Sequence, residues 1–369
     1  MKKRSLAEVI YPPVVIAHIN KSMEDYFRWR VENKSEVQIH YSSQPNGYPH
    51  LGTITSLMTA FTLGEFLREG FDIPAWILFE QLENAPGYRI KKEGITYQLM
   101  LCDTPLGNST KLEVYMNSFK ELMNWLYDKT GVKYKIMPYK DFQEIPFVRE
   151  SLLEIMNRSE EFLPLLNPSE DKLRIRFPCK ECKFMDEDAK TLEIKELKKD
   201  YAKLSMRCFD HGEYEIEITP KNKEFVDFNT PIRNAIKERF FIEEAKKANA
   251  LNLMVDGSDW IGMAELMNHV LGLWGYSAKD LPTRIFTPLI EDWSGAKFSK
   301  SVYVKEGTYD YLPPYLKTYP ELFERYGERG LEVLLEETRE WARNPKKLFR
   351  NYTVEYFDVL FKEKLKERR

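Results

Sequence analysis

The stretch Tyr41-Ser42-Ser43-Gln44-Pro45-Asn46-Gly47-Tyr48-Pro49-His50-Leu51-Gly52-Thr53 constrains the chain more than any other. Upstream, Val37, Ile39 and Tyr41 alternate with polar residues at the period of a strand. Downstream, Ile54, Leu57, Met58, Phe61, Leu63 and Leu67 recur at helical spacing as far as Gly70, a natural helix terminator. Ile73 to Phe79 is nearly all apolar, as expected of a strand buried on both faces of a parallel sheet. The unit is therefore strand, loop, helix, strand, with Pro, Gly and His packed into the loop. A helix start there offers free N–H groups and a positive dipole end to a phosphate. Gly52 leaves the backbone open to a flat base, and His50 can donate to a phosphate oxygen as charge builds. Taken alone, the residues His50 to Thr53 read as a polar turn.

Far downstream, Ser294-Gly295-Ala296-Lys297-Phe298-Ser299-Lys300-Ser301 forms a small, doubly basic loop after a strand-like run, Arg284 to Ile290. Two lysines so spaced can close over a triphosphate, although such a run by itself reads as a solvated loop. As a pair in this order, the two stretches resemble the HIGH and KMSKS motifs of class I aminoacyl-tRNA synthetases. More specifically, the chain is similar to the class I lysyl-tRNA synthetases. The resemblance runs from about Ser35 to the C-terminus and includes the Ser-x-x-Pro-x-Gly-x-x-His-x-Gly approach, a cysteine insert, and a Gly-x-Asp ahead of the second motif.

The resemblance implies a Rossmann-type (HUP-like) α/β domain with a parallel nucleotide-binding sheet. It implies activation of an amino acid, lysine or a relative, by ATP, giving an aminoacyl-adenylate for transfer to an acceptor. His50, Thr53, Lys297 and Lys300 match catalytic positions, Thr53 standing at the second histidine of the family motif. Pro49, Gly52, Gly257, Asp259, Ser299 and Ser301 fall on the ATP side, with Mg²⁺ assisting. Ser42, Glu80, Asp227 and Trp260 fall on the amino-acid side. Here the sequence departs from the family. Glu80 and Glu83 stand in place of an Asp-Asp-x-Asp segment, Phe228 and Asn234 in place of two tryptophans, and Trp260 in place of a histidine. Glu80 can meet a substrate ammonium or be a solvated strand-end carboxylate.

The cysteines cluster. Cys179-Lys180-Glu181-Cys182 and Cys208-Phe209-Asp210-His211 are two knuckles, each offering two good ligands, and together they complete a tetrahedral Zn²⁺ site. A redox dithiol or unliganded thiols are the alternatives, the former without a thioredoxin-like context. Cys102 stands apart. In the family resemblance such an insert lies beside the acceptor end of tRNA.

With 369 residues the chain can bury a full core. No apolar run approaches the length of about eighteen residues that a membrane span needs, and no signal peptide follows the basic N-terminus, so a cytoplasmic enzyme is expected. A net charge of −3 gives no global attraction to nucleic acid, so any RNA contact must use local patches. Further along, Ser109 or Thr110 caps a long amphipathic helix ending at Gly131, a second helix runs from about Phe147 to Phe162, and Thr230-Pro231 opens a third. Leu251 to Val255 is a buried strand leading to Gly257 and Asp259.

The expected organisation is an N-terminal segment and first Rossmann half over residues 1–165 and a zinc-ribbon-like insert over 166–228. The second half with the lysine loop follows over 229–305, then a short helical region over 306–369. No counterpart of the family's anticodon-binding region is expected. The acceptor is accordingly tRNA or, alternatively, a small molecule, carrier or protein. A non-catalytic sensor that keeps the pocket, and an HxGH-type nucleotidyltransferase, are the remaining alternatives.

Overall fold

The computed structural model describes Ala17, residues 19–298 and residues 307–365. Ser299, Lys300 and Ser301 therefore lie outside the described residues. Helix α1 (Met23–Val31) opens on a capping box in which Ser22 and Asp25 satisfy each other's backbone N–H. It leads into β1 (Glu36–Ser43), then α2 (Leu51–Phe71) and β2 (Ala75–Gln81). A hairpin of β3 (Pro86–Lys92) and β4 (Ile95–Met100) follows, then α3 (Lys111–Thr130), β5 (Lys133–Pro138) and α4 (Pro146–Asn157). The cysteine region holds β6 (Glu193–Lys198), β7 (Tyr201–Cys208) and β8 (Gly212–Ile218). The chain continues through α5 (Thr230–Ala248), β9 (Ala250–Gly257), α6 (Ile261–Leu273), β10 (Thr283–Thr287), α7 (Tyr319–Arg343) and α8 (Val354–Lys364).

The central sheet has five parallel strands in the order β10-β9-β1-β2-β5. Numbered by their sequence within the sheet, that is 3-2-1-4-5 read from the β5 edge, the doubly wound Rossmann-like arrangement. Its direction of winding reverses between β1 and β9. In open sheets of this kind the crevice outside the strands' carboxyl ends at that reversal is where ligands bind.

Both faces of the sheet are covered. Val37, Ile39 and Tyr41 of β1 join one core with Leu253, Val255 and the apolar sides of α2, α3, α7 and α8. The polar residues between them are also buried, because α5 lies over the opposite face. His40 stacks on Phe241 of α5 with ring centroids 3.8 Å apart, and burial with Lys237 nearby holds its pKa down to about 3. The alternation in β1 thus marks two different coverings rather than a wet and a dry face.

Some helix ends differ from the sequence expectation. Gly70 lies inside the last turn of α2, and Asp72 takes the left-handed conformation at φ 51° that terminates it. The cap of α5 is Asn229, whose side chain accepts from the Ile232 N–H, which places Thr230 and Pro231 inside the first turn. The run Phe147–Phe162 divides at Arg158, the helical turn resuming over Ser159–Leu166. In α3 the Thr110–Glu113 capping box and the Gly131 terminus at φ 67° are as the sequence suggests.

The cysteine region is built from two separate parts of the chain. β6, β7 and β8 form an antiparallel sheet, while β4 of the earlier hairpin pairs with Met185–Asp186. Arg89 clamps Glu187 with two hydrogen bonds at 2.7 and 3.0 Å to one oxygen and a third at 2.8 Å to the other. The C-terminal helices do not stand apart either. Arg339 of α7 holds Glu65 of α2 at 2.6 and 2.8 Å, and the Tyr319 N–H donates to the Pro49 carbonyl at 2.7 Å.

Candidate nucleotide cleft and metal centre

A cleft of about 410 Å³ opens at the reversal point of the sheet. Along the sheet Gln38 pairs with Asn252 and His40 with Met254, so the same face next brings Ser42 and Asp256 to the strand ends. Both line the cleft, as do His50, Gly52, Thr53, Gly257, Asp259, Trp260 and Lys297. The two distant sequence stretches therefore meet around one space.

His50 is itself the N-cap of α2, and its Nδ1 accepts from the Gly52 N–H at 3.1 Å. In a neutral ring the proton then sits on Nε2, which makes that nitrogen a donor. A Cβ on Gly52 would stand 3.0 Å from His50 Cε1. Gly52 is thus needed first so that the histidine ring can fold back onto the helix start.

The floor of the cleft is a set of buried charges on α5 and the strand ends. Lys237 lies 3.1 Å from Glu80 and donates to Ser42 Oγ at 2.9 Å. Ser42 Oγ in turn donates to Glu80 at 2.7 Å. Glu80 therefore meets a protein ammonium rather than solvent. Arg284 grips Glu238 with bonds of 2.6 and 3.1 Å. Asp256 is partly open to the cleft yet surrounded by protein. Desolvation, opposed by Lys237 and reinforced by Glu80 and Glu238, pushes its pKa up to about 6.

The lip is the root of the lysine loop. Asp292 Oδ1 accepts from Ser294 N–H, Ser294 Oγ and Ala296 N–H at 2.8, 2.6 and 3.2 Å. Glu291 and Lys297 form an isolated antiparallel bridge. Phe298 is buried, edge-on to His50 at 5.9 Å and 4.8 Å from the Tyr309 ring. That wedge fixes the base of the loop against the start of α2. Lys297 Nζ reaches Asp259 Oδ2 at 2.5 Å, and a Cβ on Gly257 would stand 2.5 Å from Asp259 Oδ1. Glycine at 257 lets the aspartate fold over it toward the lysine.

Three sequence candidates sit elsewhere. Pro49 is buried and offers its carbonyl to α7. Glu80 lies beneath Ser42, lining a smaller cavity behind the cleft. Asp227 is fully buried, accepting from Arg176 Nε at 2.7 Å and Asn84 Nδ2 at 2.8 Å, a structural junction outside the cleft lining. Sequence reading gives no site role to Arg233, Lys237, Glu238, Asp256 or Arg284. The available signal was charge at core-facing helical spacing, Arg233, Lys237 and Phe241, on a helix that covers a sheet.

The second site is in the cysteine region. The ligand atoms of Cys179, Cys182, Cys208 and His211 all lie within 4.8 Å of one another. Cys182 and Cys208 Sγ are 3.5 Å apart, and His211 Nδ1 is 3.5 Å from Cys208 and 3.6 Å from Cys179. Tetrahedral ligands about 2.3 Å from zinc would be roughly 3.8 Å from each other, so the group fits a metal such as zinc. Each knuckle turns tightly, with Lys183 at φ 65° in one and Gly212 at φ 76° in the other.

No protein-family model matches the chain, and no curated protein matches it. Among solved structures that match, a Campylobacter jejuni chain described provisionally as an arginyl-tRNA synthetase aligns at 9% identity and a TM-score of 0.32. The alignment covers 87% of this chain and 68% of that one. A likeness at that level adds nothing to what the cleft itself displays. Among the described residues no helix is long and apolar enough to cross a membrane.

Proposed function

We propose that the chain activates an amino acid with ATP, forming an aminoacyl-adenylate and pyrophosphate, in the manner of a class I aminoacyl-tRNA synthetase. One observation carries this reading: the start of α2 and Lys297, far apart in sequence, line a single cleft at the sheet's reversal point.

 Gly52 and Lys297 are 245 positions apart, and only the fold closes that distance. The reading extends to Lys300, Ser299 and Ser301, which lie outside the described residues.

In this reading the N–H groups at the start of α2 and the His50 Nε2 proton meet the α-phosphate, with Thr53 beside them. Gly52 and Gly257 give adenosine close approach to the backbone, and Asp259 accepts from the ribose hydroxyls. Asp259 is held by Lys297 in the present structure, so ATP binding exchanges that pair for two new ones, ribose on the aspartate and β- or γ-phosphate on the lysine. Lys300 would add positive charge against the departing pyrophosphate, and Mg²⁺ bound with the nucleotide would supply further neutralisation there. Catalysis is by positioning and charge stabilisation, without a covalent residue. Trp260 borders the amino-acid end of the cleft. Zinc held by Cys179, Cys182, Cys208 and His211 would crosslink the two knuckles of a region whose apolar residues, Leu204, Met206 and Ile216 among them, share a core with α4, α5 and α6.

The reading disfavours lysine as substrate, because Glu80, the acid expected to meet its ammonium, is already neutralised by Lys237. ATP–pyrophosphate exchange across all amino acids, with and without total tRNA, is the test. Exchange with tRNA charging supports a synthetase, and exchange without charging supports transfer to another acceptor. No exchange with any amino acid removes the activation reading and leaves a sensor.

A further inference from the structure

Three cations that line the cleft are each matched by a carboxylate: Lys237 by Glu80 at 3.1 Å, Arg284 by Glu238 at 2.6 Å, and Lys297 by Asp259 at 2.5 Å. Arg233 is not. It stands on α5 one turn before Lys237 and is only 4% exposed. Its Nη2 reaches Thr230 Oγ1 at 3.4 Å, and its guanidinium carbon is 6.0 Å from the centre of the Tyr139 ring. Its Nε is buried with no hydrogen-bond partner. Among the described residues no carboxylate forms an ion pair with it. A buried guanidinium left in this condition is costly, and proteins normally supply a counter-charge.

The surroundings indicate what would match it. Arg233 lines both the main cleft and the smaller cavity behind, whose volume is about 10 Å³. The rear cavity, shared with Tyr139 and Glu80, has room for no more than one water, so an occupant of any size must reach Arg233 from the main cleft. We propose that Arg233 is the receptor for a carboxylate of the small-molecule substrate held in that cleft. The assignment deepens the proposed amino-acid activation and rests on it for the identity of the ligand.

The test measures binding by calorimetry without ATP, using the twenty amino acids and the C-terminal amide of each one that binds. Wild type, Arg233→Met and Arg233→Lys are compared. Wild type should bind the acid about thirtyfold more tightly than the amide, the scale of a charge-assisted hydrogen bond. Arg233→Met should weaken the acid by about the same factor and leave the amide unchanged, while melting no lower than wild type in the absence of ligand. If the carboxylate is the α-group, every binding amino acid depends on Arg233. If it belongs to a side chain, only aspartate and glutamate do.

Equal wild-type affinity for acid and amide, or unchanged acid binding in Arg233→Met, would overturn the assignment and leave a water as the occupant. So would a markedly lower Tm in both Arg233 variants, which would mark a structural role, or the absence of amino-acid binding to wild type at millimolar concentration. ATP–pyrophosphate exchange run in parallel keeps the two readings separate. Arg233-dependent binding without exchange retains the receptor and removes activation. Exchange with an unchanged amino-acid KM in Arg233→Met removes the receptor alone.

Discussion

The floor and the lip of the cleft each hold a lysine against a carboxylate, and the two pairs differ in kind. Lys237 and Glu80, at 3.1 Å, have side chains 9% and 3% exposed. Lys297 and Asp259 are closer, at 2.5 Å, but 44% and 31% exposed. The shorter pair is the weaker one. Water screens it and its partners regain solvation when they separate, so such pairs contribute about 0–1 kcal/mol. The buried pair cannot lose one member without stranding a charge. The fold thus places a fixed electrostatic base under the cleft and an exchangeable pair at its entrance, where a nucleotide would have to compete for both partners.

Breaking the floor should have the largest effect. Glu80→Ala strands Lys237 and should cost about 3 kcal/mol of unfolding free energy, read from urea denaturation. A loss below about 1 kcal/mol would mean that Asp256 takes over the pairing and that floor and lip are alike. Lys297→Ala is the matching change at the lip. It should lower the exchange rate about a hundredfold, close to 2.7 kcal/mol in barrier, while leaving stability within about 1 kcal/mol of wild type. A stability loss as large as that of Glu80→Ala would abolish the distinction.

Asp256 sharpens the comparison through pH. Its folded pKa of about 6 is raised above the unfolded carboxylate value, so the folded state binds the extra proton between about pH 4 and pH 6. Stability associated with this group is therefore present at about pH 4 and declines as pH rises through 6. Discounted for its partial exposure to the cleft, the loss is on the order of 2 kcal/mol. Asp256→Asn should flatten that part of the stability–pH curve, and an unaltered slope would show that the charge is already matched. The smallest effect belongs to Gly52→Ala, about 1 kcal/mol, because the added methyl must displace the His50 ring from its cap on α2. Unchanged stability would indicate that the ring shifts freely.

The sequence made local features legible and left the long-range ones hidden. The Thr110–Glu113 box, the turn at Gly131 and the helix after His50 depend on residues a few positions apart, and each can be read from its neighbours. Helix ends slipped where two polar residues competed. Asn229 captured the cap from Thr230 because its side-chain carbonyl reaches Ile232 N–H, while Pro231 has no N–H to leave unsatisfied. At the end of α2, Asp72 rather than Gly70 adopted the left-handed turn, a conformation that short polar side chains tolerate.

The residues of the candidate site divide in the same way. His50 and Gly52 stand at the start of a helix and Lys297 in a compact loop, where their chemistry is conspicuous. Arg233 and Lys237 sit inside a helix, where charge ordinarily signals a solvated face, and only the sheet beneath α5 turns that face inward. The partnership of the hairpin β3–β4 with Met185–Asp186 joins segments too distant for any local pattern to register.

The bond from the Tyr319 N–H to the Pro49 carbonyl has its own consequence. It joins two main chains, so replacing either side chain leaves both atoms in place. A conventional alanine survey would pass over this splice between the C-terminal helices and the loop ahead of α2. Backbone chemistry would reveal it: an ester in place of the amide at position 319 removes the donor and keeps every side chain.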